Sequence, residues 1–160
     1  MRVAGHRVAQ RRGLITRGFF TLLGLLILGS IGHAAGLDMS AYQGKVVYVD
    51  FWASWCGPCK QSFPWMQKMR DTYGQLGLTV IAINLDVDRA DADRFLNRFG
   101  PTFEVRFDPL GKIAEFYKVQ AMPSSLLIDR HGVTRFTHVG FRVIDSPTYE
   151  AQVQQLLAEE

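Results

Sequence analysis

Residues 46 to 51 read Val-Val-Tyr-Val-Asp-Phe, a β-branched and aromatic run holding a single acid. Such a run predicts a buried strand. Thr79 to Asn84 predicts a second buried strand. Between them Phe63, Met66, Met69 and Tyr73 recur at helical spacing, so Gln61 to Tyr73 predicts a helix, with Pro64 inside to kink it. Asp88 is placed to cap a further helix running to about Phe99, with Phe95, Leu96 and Phe99 on one face. A short strand near Val105 to Phe107 and a short helix from Ile113 to Tyr117 follow. Ser125 to Asp129, the turn Arg130-His131-Gly132, and Thr134 to Val139 read as a hairpin. Ser146-Pro147, a favoured cap and first-turn pair, opens a last helix reaching Leu157. Leu37 to Gly44 reads as a short polar link. The order is therefore βαβαβαββα. Alternation of this kind implies a parallel sheet covered on both faces, and the closing hairpin adds an antiparallel edge.

Residues 1–35 follow a different pattern. Arg2, Arg7, Arg11, Arg12 and Arg17 precede an apolar run from Phe19 to Ile31, which ends in the small-residue stretch Gly32-His33-Ala34-Ala35. A basic start, a short apolar core and small residues make a secretory signal peptide. Cleavage is expected after Ala34, within about two residues. The alternative is an uncleaved anchor attaching the protein to the membrane. The apolar core falls short of the ~18 to 20 residues that a spanning helix needs. Thr21, Gly24, Gly29 and Ser30 interrupt it, and extension to Leu37 would bury His33. Arg11-Arg12 matches a twin-arginine export signal only loosely. On either reading residues 36–160 form one folded domain in a periplasmic, oxidising compartment.

Composition sharpens this division. The chain has 160 residues, 48% hydrophobic and 21% charged, which suits one globular domain with its own core. Its formal net charge of +3 comes from the leader, since no acid precedes Asp38. From Gly36 onward 13 Lys and Arg stand against 15 Asp and Glu, so a nucleic-acid partner is not expected. Only two cysteines occur, too few for a disulfide-stapled scaffold.

Those two cysteines lie in Trp55-Cys56-Gly57-Pro58-Cys59-Lys60, where a strand hands over to a helix. Cys56 falls at a helix N-terminus, where free N–H groups and the helix dipole favour a thiolate. A fall in pKa from ~8.5 to ~7 raises the thiolate fraction at pH 7 roughly sixteen-fold. Intrinsic nucleophilicity drops about five-fold over the same shift, so attack gains only about three-fold. The larger benefit is a better leaving group when Cys59 resolves a mixed disulfide. A zinc half-site is the competing reading of such a pair. Structural zinc takes four ligands, and beyond the leader only His131 and His138 remain, read as ordinary surface histidines on the hairpin. No metal and no cofactor are expected.

The stretch Val49-Asp50-Phe51-Trp52-Ala53-Ser54-Trp55-Cys56-Gly57-Pro58-Cys59-Lys60 resembles the active-site segment of thioredoxins, and more closely that of TlpA/ResA-like disulfide reductases. The likeness covers about residues 44 to 142. Pro64 matches the family's helix proline, Met122-Pro123-Ser124 its cis-proline loop, and Gly132 and Gly140 its hairpin glycines. The resemblance implies a thioredoxin-like α/β fold, a mixed β-sheet with helices on both faces. It also implies an extra strand–helix insert near Asp86 to Phe116. Cys56 should attack and Cys59 resolve, with Gly57 and Pro58 as the supporting motif between them. Pro123 should be cis and packed against the pair, the backbone of Met122 should pair with an extended substrate segment, and Trp55 should line the docking surface. Trp52 suits the core. Asp50 matches the buried acid of thioredoxins that takes the proton of the resolving cysteine; the alternative is a hydrogen-bonded structural acid. The buried lysine of thioredoxins is absent, its position falling at Ala82. The segment before Gly44 is too short for the N-terminal hairpin of many relatives, which leaves a sheet edge more open.

The function the resemblance implies is reduction of protein disulfides, with electrons from a membrane thiol transporter. Substrates in the family include apocytochrome c cysteines and copper-site thiols of oxidase assembly. A disulfide oxidase or isomerase is the alternative, although a histidine between the cysteines, usual in such proteins, is missing. A peroxidase would need a different cysteine loop. A non-catalytic metal or haem maturation chaperone would not need the cysteine pair, Asp50 and Pro123 together.

Overall fold

The computed structural model describes Met1 and residues 36–159, so the expectations for the leader fall outside the described residues. Among the described residues no helix is long and apolar enough to cross a membrane. The elements come in the expected order: β1 (Val46–Trp52), α1 (Cys59–Tyr73), β2 (Leu78–Asn84), α2 (Arg89–Phe99), β3 (Glu104–Phe107), α3 (Lys112–Phe116), β4 (Ser124–Ile128), β5 (Thr134–Val139) and α4 (Ser146–Ala158).

The five strands form one sheet in the order β3-β2-β1-β4-β5. β1 pairs in parallel with β2, and β2 with β3. β4 runs antiparallel to both β1 and β5. The sheet is therefore mixed through its centre, and of the closing hairpin only β5 forms an edge. All seven residues of β1 are buried, as a central strand covered on both faces requires.

Alternate residues of β1 enter two cores. Val46, Tyr48 and Trp52 join Phe63, Met66 and Met69 of α1, Phe95 of α2, and Val153 and Leu156 of α4. Val47, Val49 and Phe51 meet Ile81, Ile83, Leu126 and Ala114 of α3 on the other face. The first core is knitted by rings. Trp52 lies 4.7 Å from Phe63 and 4.6 Å from Phe95, and Phe63 lies 4.8 Å from Phe95. Each such pair adds about 0.5–1.5 kcal/mol beyond its buried area. Their effect is to fix the end of β1 against α1, on either side of the cysteine loop.

Helix ends follow local chemistry. Asp88 accepts the Ala90 N–H at 2.9 Å and opens α2, and the Gly100 N–H closes it on the Leu96 carbonyl. Pro64 does lie inside α1, where it has no N–H for the carbonyl of Lys60 one turn back.

Three local expectations are corrected. α1 begins at Cys59 rather than Gln61, because residues from Lys60 already bond back to Gly57 and Pro58. The cap of α4 is Asp145, not Ser146, whose hydroxyl instead donates to the Val143 carbonyl across a preceding 3-10 turn. Residues 37–44 are more than a polar link. Met39–Tyr42 forms a 3-10 turn capped by Asp38, and Leu37 and Tyr42 are buried in the second core. Tyr42 donates to Glu104 at 2.7 Å and accepts from Arg106, so this segment is tied to β3. Burial and the Glu104 carboxylate push the Tyr42 phenol up to about 12.

Candidate functional site

The loop from Ala53 to Pro58 connects the C-terminal end of β1 to α1. Its two cysteines are joined as a disulfide with Cα atoms 5.3 Å apart. Cys59 is the first residue of α1 and is fully buried; Cys56 is 3% exposed. The Cys59 N–H, one of the unpaired donors at the start of the helix, points at Cys56 Sγ from 3.3 Å. A thiolate on Cys56 would therefore meet a backbone donor and the positive end of the helix dipole. Trp55 is 69% exposed beside the pair, whereas Trp52 is fully buried. Gly57 and Pro58 are exposed between the cysteines.

The loop is clamped from β2. Ser54 donates its N–H (2.8 Å) and its hydroxyl (2.9 Å) to the two carboxylate oxygens of Asp86. Asn84 Nδ2 donates to the same carboxylate at 2.7 Å, and the Asp86 N–H returns a bond to Asn84 Oδ1. The Leu85 N–H reaches the Trp52 carbonyl at 2.9 Å, and the Cys56 N–H closes on the Ala53 carbonyl. Asp86 and Asn84 are both buried. Sequence reasoning passed over these residues. The available signal was a pair of polar residues, Asn84 at the end of a mostly apolar strand and Asp86 just beyond it.

Just before β4, whose first residue Ser124 pairs with Phe51 of β1, the Met122–Pro123 peptide is cis and Pro123 is buried. The Pro123 carbonyl accepts the N–H of Gly140 at 2.7 Å. Gly140 sits at φ +80°, a conformation that L side chains rarely adopt, and this lets the chain turn out of β5 there. Met122 is half-buried, packed against the first core.

Asp50 of β1 is 1% exposed, with Oδ2 buried and unpartnered. It shares a face of β1 with Tyr48 and Trp52, the face that packs on the core containing both cysteines. Burial holds its carboxyl well above the usual carboxylate range. The sheet register sets Ala82 on one side of it and Ser125 on the other, with His138 opposite Ser125. Tyr48 donates to Ser125 Oγ at 2.8 Å, Ser125 Oγ lies 3.3 Å from His138 Nδ1, and His138 Nε2 lies 2.8 Å from Gln152 Oε1. Because an amide oxygen only accepts, Nε2 carries the proton and Nδ1 accepts from Ser125. His138 is thus half-buried and bonded on both nitrogens, its ring 4.0 Å from that of Tyr149, and not the surface histidine expected from the hairpin. His131 is exposed. Among the described residues no group of His, Cys, Asp and Glu is placed to hold a metal ion.

Comparison with known proteins agrees with this arrangement. The Redoxin family model matches residues 32–153. The thiol-disulfide oxidoreductase ResA of Geobacillus kaustophilus is 33% identical over 94 residues, 59% of this chain and 54% of that protein. The chain thus spans about half the length of the curated relatives it matches. A Chlorobium tepidum protein assigned as thiol:disulfide interchange protein DsbE has a crystal structure that is 48% identical. It covers 75% of this chain and 85% of its own, with a TM-score of 0.74. StoA of Bacillus subtilis, 23% identical over 68% of this chain and 82% of its own, shares the fold with a TM-score of 0.60. With its thioredoxin-like sheet and a cysteine pair at the head of α1, the chain belongs to the Redoxin family.

Proposed function

We propose that this protein is an extracytoplasmic thiol–disulfide oxidoreductase that reduces protein disulfides. The observation that carries the reading is the Cys56–Cys59 disulfide at the start of α1, with a helix N–H on Cys56 Sγ and, on the β1 face that packs on the same core, the buried Asp50 with its Oδ2 unpartnered. Among its relatives, ResA carries the name thiol-disulfide oxidoreductase and the Chlorobium protein that of an interchange protein.

In the reduced protein the Cys56 thiolate attacks one sulfur of a substrate disulfide. The substrate S–S bond breaks, one substrate thiolate leaves, and a mixed disulfide forms. Cys59 then gives its proton to the Asp50 carboxylate and attacks Cys56 Sγ. The second substrate thiol leaves, and the protein disulfide seen here remains. Two electrons have moved from protein to substrate. Trp55, the Met122 backbone and Pro123 form the surface that orients the substrate, as strand addition would require. Restoring the dithiol takes two electrons from outside, and a membrane thiol transporter is the donor class that fits a periplasmic or anchored protein. Cytochrome c maturation and copper-oxidase assembly are the processes whose thiols fit such a reductase.

The test is the equilibrium reduction potential of the Cys56–Cys59 couple. A value near about −270 mV, that of thioredoxin, supports the reductase. A value a hundred millivolts or more higher, towards the about −120 mV of a strong oxidant, would assign an oxidase or isomerase instead. Absence of any dithiol–disulfide transition would leave a binding role, as in a metal or haem maturation chaperone.

A further inference from the structure

Between Ser54 of the cysteine loop, Lys60 of α1 and residues 91–99 of α2 lies a cavity of about 250 Å³. Ser54, two residues before Cys56, is part of its lining. Phe95 and Phe99 line it, and Lys60, Arg94 and Arg98 stand around it. Asp91 is the only acid in its lining, and it is paired with Arg94. Lys60 and Arg98 have no carboxylate partner among the described residues; the Arg98 guanidinium lies 5.8 Å from the Phe99 ring centroid. Three cations and one paired acid thus gather in a groove that includes Ser54 and Lys60, the near neighbours of the two cysteines in the chain. The rest of the domain carries the opposite balance, since from Gly36 onward acids outnumber bases.

We propose that this groove is a docking site for acidic side chains flanking the target cysteine of a protein substrate. The inference rests on the disulfide-exchange reading above. Charge complementarity identifies the occupant. Asp or Glu carboxylates can bond to Lys60 and to the Arg98 fork, while Phe95 and Phe99 offer an apolar floor to the stems of the same side chains. Lys60 follows Cys59 directly and Ser54 lies two residues before Cys56. A peptide whose cysteine meets Cys56 therefore brings its neighbouring residues within reach of the groove. Charges at such a rim act chiefly on encounter and register, so the effect should appear in the rate of exchange and should weaken with salt.

The experiment uses the full chain in its reduced form and two peptide disulfides matched in length. One carries Glu beside the cysteine; the other carries Gln there. Exchange rates are followed by stopped flow at low and high ionic strength. The acidic peptide should react about five-fold faster at low salt, and the advantage should fade at high salt. Arg98→Glu should abolish or invert the ratio of the two rates, and Arg98→Lys should retain most of it. Equal rates in the native protein, or an unaltered ratio in Arg98→Glu, would overturn the docking site while leaving disulfide exchange intact. Failure of both peptides to exchange would overturn the oxidoreductase reading and this proposal with it.

Discussion

Asp50 stands opposite Ala82 in the parallel β1–β2 ladder, and Ala82 is fully buried, so nothing on that side can neutralise the carboxylate. Burial favours its neutral form and so raises its pKa in the folded state. Between the unfolded pKa of about 3.9 and the raised folded value, the native state holds a proton that the unfolded state has lost. Stability therefore falls as pH rises through that window, by at most about 1.4 kcal/mol per pH unit, and levels off above the folded pKa. Asp50→Asn removes this term. Urea unfolding of the oxidised protein at pH 5, 7 and 9 should show the variant gaining on the native protein as pH rises. A difference that stays constant with pH would mean that Asp50 is already charged at pH 5.

The same carboxyl is proposed to take the proton of Cys59, and its loss should be visible in one step only. Attack by Cys56 on a chromogenic disulfide releases the first thiol without help from Asp50. Release of the second thiol needs the Cys59 thiolate, and removal of a general base typically costs on the order of 10²-fold or more. In Asp50→Asn the first burst should keep its rate and the second should slow by about that factor at pH 7. As the pH approaches the intrinsic thiol value of about 8.5, the deficit should shrink, because Cys59 then ionises without a base. Equal slowing of both bursts would indicate a general disturbance of the loop.

Most of the frame was legible from short-range pattern. The α2 bounds followed from Asp88, which caps the helix's own first turn, and from the helical spacing of Phe95, Leu96 and Phe99. β1 and β2 were evident because a strand buried on both faces shows a mostly apolar, β-branched run rather than an alternating one. The cysteine pair and Asp50 could be read because each is chemically out of place among its neighbours. The rest depends on partners far away in sequence. Tyr42 looked like part of a polar link because Glu104, which accepts its proton, is 62 residues on. Asp86 meets Ser54 across 32 residues, and His138 reaches Gln152 on a different element. Such pairings are set by strand order and helix packing, which a local window does not contain.

Asp86 is the hinge of the clamp on the cysteine loop and should be sensitive to truncation. Its carboxylate accepts three hydrogen bonds, two from Ser54 and one from Asn84. Asp86→Ala strands the Ser54 N–H and the buried Asn84 amide, a loss of about 2–4 kcal/mol for bonds to a charged acceptor and unmet donors. Asp86→Asn keeps one acceptor oxygen and should lose about half as much. Urea unfolding of the oxidised forms measures both. If Asp86→Ala unfolds within about 0.5 kcal/mol of the native protein, Ser54 and Asn84 have found other partners and the clamp is not a stability element.

His138 adds a pH dependence of opposite sign to that of Asp50. Burial lowers its pKa, with the Gln152 bond acting in the other direction. In the unfolded chain an imidazole takes up its proton near about pH 6.5, while the folded protein keeps His138 neutral, bonded to Ser125 and Gln152. As pH falls through that value the unfolded state gains protons first, so stability declines until the folded pKa is reached and then stops declining. His138→Gln offers Ser125 an acceptor but cannot protonate. Its stability relative to the native protein should therefore improve between pH 7.5 and pH 5, by less than about 1 kcal/mol because the ring is only half-buried. Denaturant midpoints of the oxidised proteins across that range check the prediction. A native protein that becomes relatively more stable on acidification would show that the imidazolium is the form the Ser125–Gln152 pair prefers.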